Sequence, residues 1–142
     1  MNGQLPKQQE KWFLVAIEGA GIDGRVLTAE QIRQMAANFE PEILRVRVTK
    51  DFLWKGSAGY LSDVTGVALG ERNGKVALWV AFGETEALRA IAENAKENNH
   101  DVFPAIGMMN RDGSYWLVEV GITSNPSILG TDPLTFDKKA EA

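Results

Sequence analysis

The dipeptide Asn73-Gly74, set between the runs SDVTGVALGE and KVALWVAF, constrains this chain more than any other feature. Asn-Gly readily supplies the two positive φ angles of a type I′ turn, so the runs on either side are adjacent antiparallel strands. A second hairpin is expected where DVFPAIGMM and SYWLVEVGIT flank the turn NRDG. Sheets built from such hairpins are largely antiparallel, which argues against a parallel doubly wound nucleotide-binding fold.

The remaining elements fit around these hairpins. KWFLVAIEG is a short, nearly continuous apolar run bounded by glycine and reads as a buried strand. The stretch behind it, EGAGIDGR, contains Gly19, Gly21 and Gly24 in the spacing G-x-G-x-x-G. A dinucleotide site needs those glycines to open a helix, but the helix signal comes later. Thr28 is a good N-cap, Gln31 completes a capping box, and Ile32, Met35, Ala36 and Phe39 form one apolar face ahead of Pro41. The glycines therefore read as a tight turn. ILRVRVT alternates, with Leu44, Val46 and Val48 on one face and Arg45 and Arg47 on the solvated other. Leu88, Ile91, Ala92 and Ala95 recur at helical spacing in ETEALRAIAENAKENN, whose asparagines mark the helix end. SNPSILGTDPLTF reads as a loop.

The expected fold class is α+β: a largely antiparallel, strongly curved or closed β-barrel of six or seven strands with two flanking helices. At 142 residues the chain suits one domain. Residues 1–10 form a polar leader, 11–136 the barrel and 137–142 a charged tail.

Net charge is −4 and the cations are interspersed with acids, so no basic stripe points to nucleic acid. No apolar run approaches the length of a membrane span. The expectation is a cytoplasmic protein. Without cysteine there are no disulfides or thiol nucleophiles, and one histidine with scattered carboxylates offers no metal-ligand spacing. Neither a metal nor a cofactor is expected.

His100, the single histidine, is the one imidazole able to serve a serine nucleophile, with Ser57, Ser62 and Ser114 as serine candidates. Its place in ENNHDVF also suits an exposed side chain at a helix C-terminus. Trp54, in a loop by composition, is a candidate partner anchor, with a structural role open beside it. Trp12, Trp79 and Trp116 are assigned to the core, and Met108 and Met109 to filling gaps in it.

The order FLVAIEG, IDGRVLTAEQIRQMAANFEPE, an arginine-bearing alternating strand and YWLVEVGITSNPSILGTDPL resembles the amino-terminal protease domain of the tailed-phage capsid scaffolding serine proteases, the GPO family. The most specific pieces are DGR followed by TA, and GITSNPSILGT, which is similar to the family's VTDDPASLGT. The resemblance implies a barrel like that of phage and herpesvirus capsid maturation proteases, and a function in procapsid assembly. It puts the catalytic aspartate at Asp23. The histidine falls at Phe52, in TKDF, and the serine at Ala105, in FPAIG. Phenylalanine has no proton to exchange and alanine no oxygen to attack with, so no intact triad is expected.

The expectation is therefore a catalytically inactive homologue that binds proteins during capsid assembly or its interference, with Phe52, Trp54 and Ala105 as contact candidates. Its expected partners are a phage capsid, portal or scaffold protein, or an active family protease, and homo-oligomers are left open. The alternatives are an active serine endopeptidase with a rebuilt site, and a phage-encoded inhibitor of a host defence protein that reuses the scaffold.

Overall fold

The computed structural model describes residues 11–20, 26–50, 60–126, 128 and 130–136. The first apolar run is β1 (Lys11–Ile17). Behind it β2 (Gly19–Ala20) pairs antiparallel with β3 (Val26–Leu27), so a small ribbon brackets the glycine stretch, whose residues 21–25 lie outside the described ones. Helix α1 (Ala29–Asn38) starts after that ribbon. Thr28 Oγ1 accepts from the Gln31 N–H at 3.1 Å and Gln31 Oε1 accepts from the Thr28 N–H at 2.9 Å, the capping box expected from the sequence.

The other elements are β4 (Arg47–Lys50), β5 (Tyr60–Arg72), β6 (Lys75–Phe82), α2 (Glu86–Glu97), β7 (Phe103–Arg111) and β8 (Ser114–Thr123). Both hairpins are present. Asn73 and Gly74 have φ of 55° and 79°, and Asp112 and Gly113 have 53° and 84°, so each turn places two residues in the left-handed region.

Six strands form one mixed sheet in the order β1-β6-β5-β4-β8-β7. Every neighbouring pair is antiparallel except β4 with β8, where Arg47 to Lys50 run parallel to Glu119 to Ile122. This crossing joins the three-stranded unit β1-β6-β5 to the β7-β8 hairpin. Each antiparallel pair of this sheet carries one register shift, and bulges bend strands and increase local twist. The sheet curls until β1 and β7 come into contact, yet no ladder links them.

Of the two forms expected, strongly curved or closed, the described residues show a strongly curved half-barrel, and its gap is bridged by the chain after β8. The Asp132 N–H donates to the Leu14 carbonyl at 2.9 Å, and the Leu14 N–H donates to Asp132 Oδ2 at 2.9 Å. The Leu134 N–H donates to the Val102 carbonyl at 2.7 Å, just ahead of β7. Lys11 Nζ reaches the carbonyl and hydroxyl of Thr135, and Phe136 meets the Phe13 ring edge-on.

The core lies on the concave side. Helix α1 packs against β8, β6, β5 and β1 there, with Ile32 and Met35 fully buried, and α2 contributes Leu88 and Ala95. Phe13 and Phe82 stack with centroids 5.0 Å apart. Complete burial of one such large side chain contributes about 1.5–3 kcal/mol.

Three expectations need correction. None of the three strand tryptophans enters the core: Trp12 is 45 % exposed, and Trp79 and Trp116 are half-buried. Leu78, Val80 and Phe82 take the inward positions of β6, so the pleat turns Trp79 outward. Met108 and Met109 are 37 % and 47 % exposed, because they follow the bulge at Gly107/Met108 on the edge strand β7. The alternating arginine run is a strand only from Arg47, since residues 41–44 form a turn and bend and Leu44 lies before the strand.

Candidate functional site

Ala105, where the resemblance implies the family's serine, sits in β7 between Pro104 and Ile106. It pairs with Gly121 of β8, which in turn pairs with Thr49 of β4. Val48, Val120 and Ile106 form the parallel row one step away and belong to or pack on the core, so Thr49, Gly121 and Ala105 line the opposite, convex face. That row is buried: Thr49 is fully inaccessible and Ala105 is 8 % exposed.

Glu119, two residues before Gly121, is 7 % exposed, and Thr49 Oγ1 donates to its Oε2 at 2.5 Å. A short bond of this kind satisfies two groups that would be costly to bury alone. The position implied for a nucleophile thus carries a methyl group, and the nearest hydroxyl in its row is held by a carboxylate. Sequence reasoning missed this pair. Its signal was Glu119 itself, the lone acid in the apolar strand SYWLVEVGIT.

Asp23, Phe52, Trp54 and Ser57 lie outside the described residues. The other serine candidates are engaged in structural bonds: Ser62 Oγ donates to the Gly83 carbonyl, and Ser114 Oγ accepts from Asn38 Nδ2 at 2.8 Å. Neither bonds His100 among the described residues. His100 follows α2 as the sequence suggested. Asn99 takes a positive φ of 60° and the His100 N–H donates back to the Ala95 carbonyl, a Schellman-type cap that leaves the imidazole exposed. The side chain lies between two pockets, one reaching Lys50 at the end of β4 and the other reaching Phe136.

A polar cluster marks the solvent side of the β4-β5 junction. Arg45 donates from Nε and Nη2 to the two oxygens of Asp63 at 2.7 and 2.9 Å, and its Nη2 also reaches the Tyr60 hydroxyl. The guanidinium hydrogen bonds hold the Asp63 carboxyl below its usual range, with the Tyr60 hydroxyl acting in the same sense. This bidentate pair pins the register where β5 starts. Among the described residues no three acidic or histidine side chains converge as metal ligands would, and no described helix is long and apolar enough to cross a membrane.

Residues 10–139 match the model of a protein family described as GPO serine peptidase, N-terminal domain. The chain is also similar to the capsid assembly scaffolding protein of Escherichia phage P2, with 27 % identity over 153 residues. That alignment covers 96 % of this chain and 51 % of the phage protein, so the chain spans about half the length of this relative. No solved structure matches significantly.

Proposed function

Because the chain belongs to the GPO serine peptidase family, through its N-terminal domain, we propose that it is an inactive member that binds other proteins during capsid assembly. The observation that carries this reading is the convex row on β4, β8 and β7. Where the resemblance implies the nucleophilic serine stands Ala105, paired with Gly121, on whose other side lies Thr49 with its hydroxyl committed to Glu119. The implied histidine position is Phe52. General-base and nucleophile roles are vacant together, so neither residue could act through the other. What remains is a folded surface that recognises phage capsid, portal or scaffold proteins, or an active family protease, in the cytoplasm of the host cell.

The test is co-expression of the tagged chain with the capsid and scaffold proteins of a related phage. Retention of one of them on the tag, with no shortened products, is the expected result. Cleavage of the capsid or scaffold protein by the wild-type chain would overturn it. The runner-up, an endopeptidase with a rebuilt site, is separated by a fluorophosphonate probe: covalent labelling of the folded wild type would favour the enzyme.

A further inference from the structure

We propose that the pocket between α2 and the ends of β4 and β8 binds the C-terminal α-carboxylate of a peptide whose last side chain is apolar. The pocket measures about 300 Å³. It opens on the concave side, because Lys50 pairs with the core residue Ile122 whereas Ala105 belongs to the row on the other face. It is therefore distinct from the position implied for the peptidase nucleophile.

The chemistry of the rim selects an anion. Among the described residues no carboxylate lines this pocket, although the chain as a whole is acidic. Its polar groups are Lys50, Asn94, His100, Thr123 and Ser124. Among the described residues the Lys50 ammonium forms no ion pair, and the side chain is exposed. Asn94 Oδ1 accepts from Asn98 Nδ2, which directs the Asn94 amide nitrogen to donate elsewhere. Thr123 Oγ1 accepts from the Asn125 N–H and keeps its own proton to give. An ammonium with several neutral donors and no competing acid among the described lining residues suits a single carboxylate.

The floor selects what the carboxylate is attached to. Ala95, Val102 and Ile122 are buried and Ile91 is half-buried, so an aliphatic side chain seated there leaves water. Ala95, His100 and Val102 also line the adjoining pocket of about 370 Å³, which continues to Leu134 and Phe136. That second pocket carries Glu93 and Asp101 as well as Arg89 and Lys96, so it suits neutral peptide backbone better than another carboxylate. The residues ahead of the bound terminus would run past His100 into it. Hydrolysis of a peptide bond creates new termini of this kind beside those with which every chain ends, and on the capsid-assembly reading the ligands would be assembly proteins or their cleavage products.

The experiment is an NMR titration of the ¹⁵N-labelled full chain with acetyl-Gly-Ala-Ala-Leu as the free acid and as the C-terminal amide. The free acid is expected to shift the amides of Ile91, Asn94, Val102 and Ser124. It should also bind at least about tenfold more tightly than the amide, the scale of one lost charge-assisted bond. Lys50→Gln should remove that preference and Lys50→Arg should keep most of it, with dispersed spectra showing both folded. Equal binding of acid and amide, shifts centred elsewhere, or an unaltered Lys50→Gln titration would overturn the proposal. Acetyl-leucine bound as tightly as the tetrapeptide would overturn the peptide assignment in favour of a free small carboxylate. Synthetic ligands keep the two readings separable: failure here leaves capsid co-retention standing, and loss of co-retention leaves the titration standing.

Discussion

The convex face of the sheet is built in two ways at its two ends. Over β1-β6-β5 it carries bulk on glycine: the Trp12 ring lies over Gly66 and the Trp79 ring over Gly70, with the Arg72 guanidinium 5.8 Å from the Trp79 centroid. Over β4-β8-β7 it carries small and polar residues, Thr49, Gly121, Ala105 and Glu119, and these are nearly inaccessible. The aromatic end is open to water and the polar end is not, which inverts the usual distribution. The contrast shows that exposure along one sheet face is not set by the side chains' own polarity.

The largest effect is expected at the buried end. Glu119→Ala should destabilise the protein by about 1–3 kcal/mol in denaturant unfolding, since the Thr49 hydroxyl loses its acceptor in a dry site. The double variant Thr49→Val with Glu119→Leu should recover most of that loss, and additive losses would show that the pair is not coupled. At the open end, Gly70→Ala places a methyl 2.9 Å from Trp79 Cζ3. The ring must move, and a loss of about 1 kcal/mol with altered tryptophan fluorescence is expected; a larger loss would mean that Trp79 is held in place. Trp12→Ala should change stability by less, at most about 0.5 kcal/mol, as for other surface positions.

The smallest effect belongs to Asp63. Its folded-state pKa is lowered, so its contribution is present above the ordinary carboxylate pKa and is lost as pH falls through the lower folded value. Unfolding midpoints of the wild type and Asp63→Asn should therefore differ slightly near neutrality and converge in acid. A gap that widens on acidification would contradict the assigned pairing.

What could be read from the sequence is what is local. Asn73-Gly74, Asp112-Gly113 and the Thr28/Gln31 box each set their geometry within four residues, and each stands where expected. The parallel pairing of β4 with β8 was not legible, because four residues meet a partner some seventy positions away and neither run advertises its direction. The tryptophans were assigned to the core because they lie in strand runs, although the alternation Leu78, Val80, Phe82 already pointed Trp79 away from it. Of the candidate site, Ala105 was singled out by the family resemblance, and its place in β7 follows from the expected hairpin. The Thr49 bond to Glu119 was not, and neither was the convergence of Lys50 with His100, since both depend on that same distant pairing.

The bridge from residues 131–136 to β1 has a consequence for synthesis. The ribosome makes Leu14 early and Asp132 more than a hundred residues later, so the edge of β1 waits through nearly the whole domain for the partner that satisfies it. During that interval an apolar strand edge stands open to other chains, as an emerging half-sheet does in a crowded cell. Closure is thus a late event, and a ribosome stalled before Asp132 would hold out a sticky edge where the finished molecule presents a fastened seam.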